Sequence, residues 1–400
     1  MHAKKSEVAE SPDHIRTVLV CDAQQIIVHE CRFEKWARLT DYAISTIAPC
    51  EQAIRDGDAT KVSRLLSDNP GLLRHPIPWQ GCRGDRTLLW YAVWAGDLNV
   101  VNAVIESGYD LQCDGDEALG LALGRRKREI ADRFVAAGVD PRDIQMTLFQ
   151  LSENLDPDGV QWMLDHGADP DMRNNAQKDG SWTPLDNAIH TYPAKPRQRQ
   201  QTVRILLAAG AVHADNALFD LLSGNSAKLR ERLEADPSVL AATFDIGYGR
   251  NQSLEFGGQY GGAPLANTTL LHHCAEFGFE DEAKLLIACG ADANAKALPG
   301  IDGFNTHTPV YHAITSNYNQ SFGVLKLLLE HGANTKISAD LDVITPDSKG
   351  RGERLRLRGV TPMQYIAQFP NHYHKTPSAG GSLDTEPHSE VIRLLQKYDV

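Results

Sequence analysis

The chain has 400 residues, of which 42% are hydrophobic and 23% charged, and 40 basic against 52 acidic residues give a formal net charge of −12. This composition excludes a wholly disordered chain, and no run of about eighteen uninterrupted apolar residues is present to span a bilayer. A net acidic surface repels phosphate backbones and anionic lipid, so we expect neither nucleic acid nor a membrane as a partner.

The N-terminal segment and the cysteines indicate a cytoplasmic protein. No apolar run follows the two N-terminal lysines, so we expect no secretory signal. The seven cysteines are scattered without a CxxC pair, which predicts reduced thiols, no structural metal and no cofactor. Residues 1–49 contain β-prone stretches but no repeat, and we interpret them as an N-terminal cap, with a separate docking segment as the alternative.

From about residue 50 onward one sequence phrase recurs, with a four-residue opener, a short helix, and a second apolar helix that ends at a glycine. Clear copies open at Thr87-Leu-Leu-Trp, Thr183-Pro-Leu-Asp, Thr269-Leu-Leu-His, Thr308-Pro-Val-Tyr and Thr361-Pro-Met-Gln. Consecutive openers lie 29 to 53 residues apart, which fits a basic unit of about 33 residues lengthened by insertions.

The composition of each phrase predicts its local structure. An opening threonine caps the first helix, and proline suits the first helical position because no amide donor is needed there. Small residues such as Ala92 and Ala275 allow neighbouring first helices to approach closely. Glycine at the end of the second helix predicts a left-handed residue that stops the helix. The glycines in this position are Gly108, Gly138, Gly167, Gly210, Gly290 and Gly332.

The phrase resembles the ankyrin repeat. The segment Thr269-Leu-Leu-His-His-Cys-Ala-Glu-Phe-Gly, followed by Ala283-Lys-Leu-Leu-Ile-Ala-Cys-Gly-Ala-Asp, is close to the family motif over nearly a full unit. The resemblance covers about residues 50–400, or about nine units, although the copies opening at 117 and 216 are degenerate. It implies an all-α helical repeat solenoid with β-hairpin and loop insertions at 241–268, 296–307, 338–360 and 372–389.

The insertions and one charge cluster have their own patterns. Glycines and aromatic residues in 241–268 predict an ordered hairpin or Ω-loop. The alternation Arg354-Leu-Arg-Leu-Arg predicts a strand with one basic edge. We expect this edge to pair with the chain's own excess carboxylates, with an acidic or phosphorylated partner as the alternative. Residues 372–389 are predicted to form a loose loop. The run Arg125-Arg-Lys-Arg is typical of a solvated helix face.

The ankyrin resemblance implies a scaffold that binds another protein, with no catalysis of its own. In the family, the residues just after the Ala-Ala pair of the first helix line a concave binding face together with the finger loops. The corresponding positions here are Trp94, Glu153, Asn154, His190, Glu276, Phe277, Thr315, Ser316, Gln368 and Phe369.

The long insertions motivate an alternative from a different class of function. A small-molecule or carbohydrate site, hydrolytic or lyase-type, could lie under the insertion at 244–262. Its acid–base groups would be Glu255, His273, Asp302, His307 and His312, since His273 and His312 occupy equivalent positions of adjacent units. We expect His272, by contrast, to hydrogen-bond the local backbone, and no HExxH spacing indicates a metal site.

Overall fold

The computed structural model of this chain describes residues 43–73, 77–78, 85–173, 182–191, 193–246, 263–316, 319–346, 352–368 and 389–399. The chain divides into two compact units, Met1–Thr147 and Leu148–Val400. The predicted cap therefore lies outside the described residues up to residue 42, and so do most of the insertion at 241–268 and of the loop at 372–389.

The first unit is built of consecutive helix pairs. A π-helical turn at Ala43–Ile47 leads into α1, and a two-stranded antiparallel sheet of β1 and β2 lies between the first two pairs. First helices pack on first helices, α1 on α3 and α3 on α5, while second helices pack likewise, α2 on α4 and α4 on α6. The elements are α1 (Ala48–Arg55), α2 (Ala59–Asp68), β1 (Ile77–Pro78), β2 (Asp85–Arg86), α3 (Leu88–Ala95), α4 (Leu98–Glu106), α5 (Gly115–Gly124) and α6 (Arg128–Ala136).

The second unit begins within α7 (Met146–Glu153) and repeats the same construction. Its first helices α11, α13, α15 and α17 pack in succession, and its second helices α12, α14, α16 and α18 do the same. The remaining elements are α8 (Pro157–Asp165), α9 (Pro184–His190), α10 (Pro196–Ala208), α11 (Ala217–Leu222), α12 (Ser226–Ala235), α13 (Leu270–Phe277), α14 (Glu280–Ala288), α15 (Pro309–Ile314), α16 (Phe322–Glu330), β3 (Ala339–Pro346), β4 (Gly352–Val360), α17 (Pro362–Gln368) and α18 (Ser389–Tyr398).

Helix ends follow the local chemistry predicted from the sequence. Thr87 caps α3 by accepting the backbone N–H of Trp90, and Thr183 forms a capping box with Asp186 at the start of α9. All six glycines predicted to end the second helices have positive φ, between 86° and 98°. This confirms the assigned repeat register, because a left-handed residue at this point strongly favours glycine.

Buried apolar faces hold neighbouring repeats together. Ala92, Ala188, Ala275 and Ala313 are each fully buried, so the first helices approach one another closely. Leu286 of α14 is also buried and belongs to the same kind of core. Because each pair buries its apolar face against the next pair, the stacked arrangement supplies the core that a single pair lacks.

Two insertions are described in part or in full. Backbone hydrogen bonds between Phe244 and Thr268, with N···O distances of 2.8 and 3.1 Å, close the neck of the insertion at 241–268. The insertion at 338–360 forms an antiparallel hairpin of β3 and β4, with Val343 opposite Leu355. The strand predicted from Arg354-Leu-Arg-Leu-Arg is therefore confirmed.

Four of the seven cysteines lie in the described part of the chain. Cys50 and Cys274 are buried, Cys289 is half-buried and Cys113 is exposed, and all four are free thiols. Burial raises the pKa of the Cys50 thiol to about 11, which keeps it protonated and unreactive at neutral pH. Across the described ranges, no helix combines the length and the apolar character needed to cross a bilayer.

Candidate functional site

Trp94 lies on α3, directly before the turn that connects this helix to α4. Its side chain is 37% exposed. The indole ring stacks nearly parallel to Tyr91, with ring centroids 6.4 Å apart, and the Arg125 guanidinium lies 5.0 Å from the indole centre. Trp94 is thus a surface aromatic side chain with two defined neighbours, which suits the binding role predicted for it.

The prediction that residues 125–128 form a solvated helix face is wrong. Helix α5 ends at Gly124 and α6 begins at Arg128, so Arg125, Arg126 and Lys127 form the exposed turn between the two helices. Arg126 has a φ of 61°, the left-handed conformation that glycine adopts at the equivalent turns, at Gly57 and Gly96. The basic run therefore belongs to the same row of turns as Trp94, on the adjacent repeat.

Glu153 and Asn154, also predicted as binding residues, are exposed at the end of α7. Their backbone carbonyls hold the following repeat. The Thr191 hydroxyl donates to the Glu153 carbonyl at 2.7 Å, and the Lys195 ammonium donates to the Asn154 carbonyl at 2.9 Å. The backbone at this turn is therefore structural, while both side chains face the surface.

His190 is buried, although the repeat position predicted an accessible side chain. Its Nδ1 lies 2.7 Å from the Asp186 carbonyl, and its Nε2 lies 2.9 Å from the carbonyl of Ile246, at the start of the long insertion. Burial lowers the pKa of the imidazole. The ring links α9 to the neck of the insertion, and this contact removes it from the surface.

Phe277 is buried as well, with 3% of its surface exposed, which corrects the expectation that it lines an open face. The guanidinium of Arg199, itself 1% exposed, lies 5.0 Å from the centre of the phenyl ring. This guanidinium donates to four backbone carbonyls in the last turn of α9 and just after it, those of Ala188, Ile189, Thr191 and Pro193, at 2.7 to 3.2 Å. A side chain from α10 therefore covers Phe277.

Thr315 and Ser316 close the turn after α15. The Thr315 hydroxyl donates to the Tyr311 carbonyl at 3.0 Å, and buried Ser316 accepts the backbone N–H of Ser321 at 3.1 Å. Gln368 is the last residue of α17, and only its backbone is described. Phe369 and Glu255 lie outside the described residues.

A continuous hydrogen-bonded chain runs from Glu276 through His312 to His307. The Nδ1–H of His312 donates to Oε2 of Glu276 at 2.8 Å, and the Nε2 atoms of His312 and His307 are 3.0 Å apart, so one of these two nitrogens carries a hydrogen. Both imidazoles are fully buried, whereas the Glu276 side chain is 20% exposed. The chain joins α13 to α15 and so links two consecutive repeats.

His272, His273, His307 and His312 form a buried histidine cluster. The other two members, His272 and His273, have separate partners. The backbone N–H of Thr269 donates to Nδ1 of His272, whose Nε2–H then donates to the His307 carbonyl at 3.1 Å, as expected for a structural histidine. His273 lies 3.2 Å from the Thr268 hydroxyl through Nε2. Since that hydroxyl donates to the Leu265 carbonyl, Nε2 of His273 carries the hydrogen, and its buried Nδ1 has no hydrogen-bond partner.

The contacts Thr268–His273 and His307–His312 occupy equivalent positions in two consecutive repeats. Thr268 and His307 each precede the threonine that opens a repeat, and His273 and His312 each lie five residues further on. The contact Thr268–His273 therefore recurs as His307–His312 in the next repeat. Alignment of the repeats could have revealed this pairing, although the hydrogen bond to Glu276 depends on how the repeats stack.

Burial keeps His272, His273 and His307 neutral near neutral pH. It lowers the pKa of His273 to about 3 and holds the pKa of His272 and His307 well below the ordinary value. A positive charge on His312 would lower all three further, because the imidazoles lie close together. The centroid of the His307 ring is 4.9 Å from that of His312 and 5.5 Å from that of His272.

Asp302 does not join the histidines, although the sequence placed it in the same candidate site. It is exposed and pairs with Arg356 at 2.8 Å, so it belongs to the contact between the loop before α15 and strand β4. On the same strand, Arg354 pairs with Asp342 at 2.5 Å and Arg358 with Asp340 at 2.7 Å. The basic edge is therefore neutralised by the chain's own aspartates, as predicted.

A metal site in the described residues would need several converging His, Cys, Asp or Glu side chains. Within these ranges, no three His, Cys, Asp or Glu side chains are positioned to hold a metal ion. The histidine cluster instead satisfies its nitrogens mainly through other imidazoles, threonine and backbone carbonyls. What the cluster can do chemically is hold or pass a proton between Glu276 and His307.

Stacked helix pairs with glycine-terminated second helices define a helical repeat protein. The ankyrin repeat family model matches residues 267–298, the segment with the threonine opener and the two histidines, so this part of the chain is an ankyrin repeat. No curated protein sequence matches it.

Solved structures of ankyrin repeat domains show limited similarity to this chain. One is an ankyrin repeat domain from Acinetobacter baumannii AYE, 21% identical with a TM-score of 0.33, covering 46% of this chain and 93% of that one. Another is the ankyrin repeat domain of Bcl-3, described as a unique member of the IkappaB protein family. It is 20% identical with a TM-score of 0.29, covering 41% of this chain and 86% of that one.

Proposed function

We propose that this protein is a cytoplasmic scaffold that binds another protein through the row of turns following its first helices. The observation that carries this proposal is Trp94, an exposed tryptophan fixed between Tyr91 and Arg125 on that row. Tryptophan, tyrosine and arginine are the residues most often found at the energetic centre of protein interfaces. Ankyrin repeats serve in general as protein-interaction scaffolds, which agrees with this assignment.

The experiment is a comparative capture of partners by the full chain. Wild type, Trp94→Ala and Val212→Ser are immobilised, and bound proteins are quantified by mass spectrometry. Val212 is the matched control because it is also an exposed apolar residue, at 80% exposure. We expect a set of proteins that Trp94→Ala loses at least about tenfold and Val212→Ser retains. Identical sets for all three would contradict the proposal.

A second candidate function rests on the Glu276–His312–His307 chain. A half-buried carboxylate that orients an imidazole, which in turn contacts a second imidazole, is an arrangement used for proton transfer. We infer that, if this protein acts on or binds a small molecule, these residues and His273 supply its acid–base groups. Native mass spectrometry of the purified chain should then reveal a bound compound that His307→Gln loses and Trp94→Ala retains. The reverse pattern, or no difference between the two variants, would exclude this candidate.

A further inference from the structure

Four residues on three consecutive turns of the first unit form a connected surface, here called the basic–aromatic strip: Arg55, Trp94, Arg125 and Lys127. Arg55 ends α1, Trp94 precedes the end of α3, and Arg125 and Lys127 lie between α5 and α6. All four side chains are exposed. The strip therefore follows the repeat axis and lies on the same row of turns as the proposed binding face.

Direct contacts hold the strip together. The Nε–H of Arg55 donates to the Tyr91 hydroxyl at 2.7 Å, and Tyr91 stacks parallel to Trp94. Arg125 covers the indole of Trp94, with its guanidinium carbon 5.0 Å from the ring centre. Lys127 extends over Gly96, where its Cε lies 2.6 Å from the position that a Cβ would occupy. The cations are thus ordered beside the tryptophan.

Carboxylates neutralise the charges on the strip less completely than those on the basic edge of β4. Arg55 pairs with Glu51 at 3.2 Å but keeps 56% of its side chain exposed. Among the described residues, neither Arg125 nor Lys127 pairs with a carboxylate. The arginines of β4, by contrast, are all matched by aspartates. On a chain of net charge −12, this strip is a local cationic surface, in which Arg125 and Lys127 have no carboxylate partner among the described residues.

We propose that the basic–aromatic strip recognises an acidic segment of a partner protein, in which glutamate or aspartate side chains flank an apolar residue. The inference rests on the proposed scaffold function and names the partner's chemistry. A guanidinium stacked on an indole still directs its N–H groups outward in the ring plane, where a carboxylate accepts two of them. The exposed part of the Trp94 ring offers apolar area to the neighbouring side chain of the partner. A nucleic acid fits less well, because the chain's net negative charge opposes a polyphosphate.

The test uses a fluorescein-labelled, unstructured peptide of Glu, Gly and Ser with one Leu, and a second peptide with every Glu replaced by Gln. Fluorescence anisotropy measures binding to the full chain at about 50 mM and about 300 mM salt. We expect the Glu peptide to bind at least about fivefold more tightly than the Gln peptide, and to weaken at the higher salt concentration. Arg125→Gln should reduce its affinity about three- to tenfold.

Arg142→Gln is the matched control, because Arg142 is exposed in the same unit but already pairs with Asp140 at 2.6 Å. Equal binding of the two peptides, equal loss in Arg125→Gln and Arg142→Gln, or no binding of the Glu peptide at about 1 mM protein would overturn the inference. So would tighter binding of a single-stranded RNA of the same length. If both peptides bind equally and Trp94→Ala abolishes both, the acidic partner is refuted while the scaffold function stands.

Discussion

Acid should unfold the second unit, because the buried histidines His272, His273 and His307 must take up protons when the chain unfolds. Their pKa values are lowered in the folded state, to about 3 for His273. In the unfolded chain they return to about 6.5. Above that pH, neither state binds these protons and the histidines make no pH-dependent contribution. Below it, the unfolded state binds more protons, so stability is lost as the pH falls.

The size of this loss of stability follows from the difference in histidine pKa between the folded and the unfolded state. Each imidazole that stays neutral in the folded state lowers the free energy of unfolding by about 1.4 kcal/mol for each pH unit below about 6.5. The three together contribute about 4 kcal/mol per pH unit, and His190, whose pKa burial also lowers, adds to this slope. At pH 5 the accumulated loss is about 6 kcal/mol, comparable to the whole stability of a typical domain. We therefore expect unfolding of these repeats between about pH 5 and pH 4.

Urea denaturation followed by circular dichroism at several pH values between 7.5 and 5 measures this slope. The variant His273→Gln removes one titrating group while keeping a donor for Thr268, so its slope should be smaller than that of the wild type by about 1.4 kcal/mol per pH unit. His331→Gln, at an exposed position, is the matched control and should keep the wild-type slope. A wild-type stability that is flat between pH 6.5 and 5, or an unchanged slope in His273→Gln, would refute the reasoning.

Three further predictions concern stability and are checked by urea denaturation at neutral pH. Arg199→Met should lower the free energy of unfolding by about 3–5 kcal/mol, since it leaves the carbonyls at the C-terminal end of α9 without their donor; a loss below about 1 kcal/mol would contradict this. Leu286→Ala, which empties a buried site in α14, should cost about 2–5 kcal/mol, and a neutral result would mean that the repeat register is misassigned. Arg126→Gly should stabilise by about 0.5–1 kcal/mol, because Arg126 has a φ of 61°; destabilisation would show that its side-chain contacts outweigh the backbone strain.

The sequence by itself determined the repeat and its register. Threonine caps, prolines at the first helical position and glycines with positive φ act through the backbone of a few adjacent residues, so they can be read without knowledge of the fold. Gly290 and Gly332 were predicted in this way and have φ values of 98° and 86°. The alternation of arginine and leucine at 354–358 is an equally local signal, and the structure has the expected strand there.

Only the tertiary structure decided which of the predicted site residues reach the surface. Phe277 and His190 occupy the positions expected for a binding face, but the guanidinium of Arg199 and the backbone at Ile246 cover them. Likewise, the link from Glu276 to His312 depends on the stacking of α13 on α15. Exposure and side-chain pairing depend on segments that are distant in the sequence, whereas caps and turns depend on their immediate neighbours. This difference in range is the physical reason why the fold could be predicted from the sequence and the site only in part.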